Sequence, residues 1–146
     1  MGQTSIDEDQ AGDDVARGRV VSLRESTLSL QPAGTEYKID LVVDDQSLAR
    51  IPEVGKRVKG RLTAQALRLH EATAGGLFIE PLEGAPRIVA GRIRRVDSQA
   101  RRLLVEAVVP FWIQLHETDD PEQWEQGQLI NCYVQSNTSF TIEANT

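Results

Sequence analysis

Two segments of about equal length in this chain open, pivot and close on the same local signals, and this internal repetition constrains the fold before anything else does. The first segment runs Gly18-Arg19-Val20, Leu28-Ser29-Leu30, Tyr37-Lys38-Ile39-Asp40-Leu41, an acidic loop, Gly55-Lys56-Arg57-Val58, and Leu67 to Ala72. The second answers with Gly91-Arg92-Ile93, Leu103-Leu104-Val105, Phe111 to Leu115, another acidic loop, Gly127-Gln128-Leu129-Ile130, and Phe140 to Ala144. The glycines stand 73 residues apart at the opening and 72 at the pivot, with few identities between them. The repetition is therefore one of architecture rather than of recent duplication.

Each segment holds only some sixty residues, and units of that size bury roughly 60% of their unfolded surface and are marginal alone. The two are expected to pack on each other or on a second copy. Short β-branched or alternating stretches dominate: residues 17–23, 27–31, 36–43, 57–64 and 66–70 in the first segment, then 77–79 as a linker strand. The second offers 87–96, 103–108, 111–116, 129–135 and 139–143. Helical signals are confined to 45–50 and 120–126, where Asp119 or Asp120 caps a turn that has Pro121 at its first position.

Five short strands per segment, a Gly before the first and fourth, and a small helix between the third and fourth resemble the five-stranded Greek-key barrel called the OB-fold. The resemblance implies an all-β chain of two tandem barrels, residues 15–81 and 87–146, joined by a linker at 82–86 where Pro81, Gly84 and Pro86 break any central strand. It implies no catalytic motif. Arg57 and Arg61 match the R-x-x-x-R half of a cyclic-dinucleotide-binding barrel signature, but no D/N-x-S-x-x-G follows at a suitable distance.

The net charge of −6 is concentrated: five acids and no Lys or Arg lie in the first fourteen residues, leaving −1 for the rest. Residues 1–14 are expected to be a disordered acidic tail, either merely solvated or lying over a basic surface. No apolar run approaches the ~20 residues that span a bilayer. No signal peptide or myristoylation pattern opens the chain, and Cys132 stands alone, so a cytoplasmic protein with no membrane contact is expected.

Alternation sorts the faces of the second segment. Phe111, Ile113, Leu115, Ile130, Cys132 and Val134 point into the barrel, which leaves Trp112 and Tyr133 outside. The segment's positive charge lies on six arginines, Arg87, Arg92, Arg94, Arg95, Arg101 and Arg102, while residues 103–146 carry seven acids and no Lys or Arg. Guanidinium groups grip phosphate and stack on rings. The same hairpin beside acidic loops also fits an internal ion-pair network, and the two rings also fit burial against the other barrel or a second subunit. Lys56, Arg57, Lys59 and Arg61 form a second basic stretch in the first segment.

Two His and one buried Cys fall short of a zinc set. No phosphate loop, dinucleotide fingerprint or nucleophile elbow is present, so neither an enzyme nor a cofactor is expected. The reading from sequence is a non-enzymatic interaction or assembly module that presents Trp112, Tyr133 and the Arg hairpin to a protein partner or to another copy. The alternative is single-stranded nucleic-acid binding through the same surface, by base stacking on the rings.

Overall fold

In the computed structural model, which describes residues 12–143, the chain is all-β. The elements are β1 (Ala16–Arg24), β2 (Thr27–Pro32), β3 (Lys38–Val43), α1 (Asp45–Leu48), β4 (Arg57–Glu71), β5 (Phe78–Glu80) and β6 (Glu83–Gly84). Then come β7 (Ile88–Asp97), β8 (Arg102–Glu106), β9 (Pro110–Gln114), a 3₁₀ turn (Pro121–Gln123), β10 (Leu129–Val134) and β11 (Ser139–Ile142). The two short helical turns fall where their capping signals lie: Asp44 accepts from the Ser47 N–H at 2.7 Å, and Asp120 from the Glu122 N–H at 2.9 Å. Among the described residues, no helix is long and apolar enough to cross a membrane.

One mixed sheet holds all the strands. Pairing runs β1–β2–β3–β11–β4 and returns from β4 to β1, a ring of five. The far half of β4 pairs with β10 and, in parallel, with β9, while β10, β7, β8 and β9 pair in succession. Residues 57–64 and 66–70, expected as two strands, are thus one fifteen-residue strand. Its interior positions, Val58, Gly60, Leu62, Ala64 and Ala66, are buried at every second residue, which is why nothing interrupts it.

The strands of the two segments interleave rather than segregate. β11, expected as the last strand of a second barrel, lies between β3 and β4, and Phe140 on it is fully buried. The stretch expected as a linker contributes β6, whose Glu83 and Gly84 pair with Lys38 and Ile39. Burial explains both departures. The apolar side chains of both segments form a single cluster, from Leu28, Leu30 and Leu62 through Ile113 and Cys132 to Phe140. Two sixty-residue cores merged this way leave less apolar surface in water than two kept apart.

Local geometry nonetheless recurs between the segments. Gly18 pairs with Val58 and Gly91 with Ile130. A Cβ at Gly18 would sit 2.3 Å from the Gln31 carbonyl oxygen, and one at Gly91 2.3 Å from that of Glu106, so both strands need glycine where they coil against the next. Gly55 (φ 92°) and Gly127 (φ 96°) donate their N–H groups to Val20 and Ile93 at 2.8 and 2.7 Å. Arg19 and Arg92 then donate to the carbonyls of those same two glycines, at 2.8 and 2.7 Å.

Candidate anion-binding groove

Trp112, Tyr133 and the arginines Arg92, Arg94, Arg95, Arg101 and Arg102 are engaged within the chain. Trp112 does point away from the core that holds Phe111 and Ile113, as strand alternation requires, yet it is only 4% exposed. Its Nε1–H donates to Asp14 Oδ2 at 2.9 Å, and the Arg102 guanidinium lies 3.7 Å over its ring. Arg95 stands 5.2 Å from the same ring and donates to Asp13 at 2.9 Å. Trp112 thus stands off the core as alternation places it, but it is covered rather than presented to a partner: desolvation is compensated by a hydrogen bond at its edge and a stacked cation on its face.

Arg94, Arg101 and Arg102 are also paired. Arg94 bonds Glu106 at 3.1 Å, and Arg102 bonds Asp97 at 3.3 Å. Arg101 donates to the carbonyls of His116, Glu117 and Asp119. The Ala100 backbone N–H, followed by Arg102, holds the Asp97 carboxyl below its ordinary pKa. Tyr133 is half-buried on the outer face of β10, with the Arg68 guanidinium 4.9 Å from its ring and the His70 ring 6.0 Å away.

The acidic segment is anchored at its end. Residues 1–11 lie outside those described, but Asp13 and Asp14 are fixed, and Asp14 is 8% exposed. Asp14 also accepts from Arg61 Nε at 3.0 Å, and Arg61 bonds Glu143 as well. Partial burial opposes the charge on Arg61, but the bonds to Glu143 and Asp14 outweigh it and raise the guanidinium's pKa. Arg61, one of the four cations of the first segment's basic stretch, is thereby neutralised.

Four other cations of that segment face a groove of about 840 Å³ together with Arg50, which follows α1. Arg17 and Arg19 alternate along β1 with the buried Ala16, Gly18 and Val20; Arg57 and Lys59 alternate along β4 with Val58 and Gly60. The β1–β4 register sets Arg17 directly opposite Lys59 and Arg19 opposite Arg57. Among the described residues, Glu143 is the one acid of the lining. The wall from Gln31 to Thr35 is fixed by Gln31 Nε2 donating to the Thr35 carbonyl at 2.9 Å and by the Ala33 N–H donating to the Arg17 carbonyl at 3.1 Å.

Like charges directly across an antiparallel pair destabilise it. The corresponding pairs in the second segment are Ala90 with Asn131 and Arg92 with Leu129, so Arg17, Arg57 and Lys59 have no cationic counterpart there, whereas Arg19, like Arg92, bonds the carbonyl of a turn glycine. The sequence showed the Arg57 and Lys59 half of this site as a basic stretch. Arg17 and Arg19 were missed, since only the β1–β4 register joins residues forty positions apart; the signal was their i, i+2 spacing, matching that of Arg57 and Lys59.

A side chain that could act as a nucleophile is well shielded: Cys132 is buried, and burial, followed by the charge of Asp119, pushes its thiol from the ordinary 9.0 up to about 12. The chain matches no protein-family model and no curated protein.

Proposed function

We propose that this protein is a non-enzymatic interaction module, two OB-like barrels built around the shared strand β4, that holds an anionic, extended partner chain in the groove between Arg17, Arg19, Arg57 and Lys59. The observation that carries this reading is the pair of like-charge contacts, Arg17 with Lys59 and Arg19 with Arg57, on a scaffold whose second copy places neutral or mixed residues at the same register. That repulsion is relieved when an anion enters. The recurring glycine contacts and register support the two-barrel description. The self-paired Trp112 and Arg hairpin argue for moving the partner surface from that face to the groove.

Single-stranded nucleic acid is the second reading, favoured by five cations in one groove of an OB-like barrel. Against it, no aromatic side chain among the described residues lines the groove, so bases would have no ring there to stack on.

Mapping amide chemical shifts during a titration with poly-glutamate at low salt tests the site. Shifts confined to β1, the first half of β4 and the Gln31 to Thr35 wall are expected. Shifts centred on Trp112 and Arg94, or none at all, would contradict the assignment.

A further inference from the structure

Building on the groove as the binding face, we infer that its resident occupant is the acidic segment Asp7-Glu8-Asp9 of this same chain, so that an outside partner binds by displacing it. Charge sets the demand. Arg17, Arg19, Arg50, Arg57 and Lys59 line the groove, and the acid beside them, Glu143, is already shared with Arg61. The ion pairs among the described residues use Lys38, Arg61, Arg94, Arg95 and Arg102, and none of those five groove cations. Clustered like charges raise one another's energy until counter-charge arrives.

The path of the chain brings that counter-charge close. Arg57, Lys59 and Arg61 stand at every second position of β4, and Asp14 bonds the last of them at 3.0 Å. Arg61 is two residues, ~7 Å, from Lys59 along the strand, so Asp14 marks the end of the groove. From Gly12 to Val15 the chain makes a tight turn, closed by the Val15 N–H donating to the Gly12 carbonyl at 3.3 Å. Such a turn reverses direction, so the chain entering Gly12 comes from the side to which β1 departs, where Arg17 and Arg19 lie. Asp9 is three residues from Gly12 and Asp7 five, extended reaches of at most ~11 and ~18 Å. Arg17 and Arg19, two and four residues past Val15 at ~7 and ~13 Å, fall within them.

Spacing selects the acids. Arg17 with Lys59 and Arg19 with Arg57 form two cationic rungs two residues apart. Asp7 and Asp9 are also two residues apart, and in extended backbone such residues share a face at the same ~7 Å. One carboxylate then meets each rung, and Glu8 adds its charge to the same field. An external acidic chain has to expel these carboxylates, which lowers the groove's apparent affinity by the fraction of molecules it finds open. A segment tethered a few residues away competes at high local concentration, so the groove favours partners with longer acidic runs than its own.

The test compares the full chain with Asp7→Asn/Glu8→Gln/Asp9→Asn, which keeps Asp13 on Arg95 and Asp14 on Trp112. Neutralisation should shift the amides of Arg17, Arg19, Arg57 and Lys59 in the unliganded protein, independently of protein concentration. It should also tighten poly-glutamate binding about three- to tenfold at low salt, a gain that fades at high salt. Equal affinity and unmoved groove amides would overturn the segment as occupant while leaving the groove as the binding face. Amide shifts that grow with protein concentration would overturn it in favour of the same segment from a second copy. Absence of poly-glutamate binding by both proteins would remove the groove reading itself, on which this inference rests.

Discussion

Arg17 on β1 stands directly opposite Lys59 on β4, two cations on the solvent face of an antiparallel pair. Such a contact costs stability in the free protein, and that cost distinguishes a site from a scaffold. Arg17→Glu should raise the stability of the unliganded protein by about 0.2–1 kcal/mol, towards the lower end because both groups meet water. The same substitution should abolish poly-glutamate binding. Denaturant unfolding read beside a binding assay checks whether the two effects have opposite signs.

Asp14 and Trp112 make the opposite prediction. Their 2.9 Å hydrogen bond is buried, and Asp14 also holds Arg61. Asp14→Ala leaves the indole N–H unpaired, at about 1–3 kcal/mol, and Trp112→Ala should cost about 3–5 kcal/mol. Removing residues 1–14 should therefore lower the thermal midpoint, contrary to what the charge run alone suggests. An unchanged midpoint by calorimetry would show that the anchor is weak.

The equivalence of Gly18 and Gly91 can be tested by mutation. Each added methyl group would lie 2.3 Å from a backbone oxygen, so Gly18→Ala and Gly91→Ala should both destabilise the fold strongly. Gly76→Ala, with open space around the new carbon, should not share that clash. Parallel urea titrations of the three variants would separate them.

Cys132 sets a pH limit. Its thiol is shifted up to about 12 in the folded chain from 9.0, so the folded state holds its proton where the unfolded state loses it. Stability from this group is complete below about pH 9 and declines as pH rises towards 12. Cys132→Ala should flatten that decline. At neutral pH the native thiol should be inert to iodoacetamide unless the chain unfolds.

Much of the architecture was legible because alternation is a local property. The burial of Phe111, Ile113, Ile130 and Cys132 follows from period two, and so does the placement of Trp112 off the core. Whether that outer position is wet depends on what crosses it. The cover came from Asp14, ninety-eight residues away, and from Arg102 stacking on the ring, contacts no local pattern encodes. The exchange of β11 into the ring with β3 was illegible for the same reason: Ser139–Ile142 reads as a strand anywhere, and only the common core decides its neighbours. The groove was half visible, as Arg57 and Lys59, until the register brought Arg17 and Arg19 across from them.

The most direct measurement is an anisotropy titration of fluorescein-labelled poly-glutamate against the wild-type chain, Arg17→Ser/Lys59→Ser and Arg94→Ser, at low and high salt. Binding by the wild type and Arg94→Ser that weakens as salt is added, and its loss in the double variant, is the expected result. Equal binding by the double variant, with loss in Arg94→Ser, would place the partner on the arginine hairpin and contradict the groove.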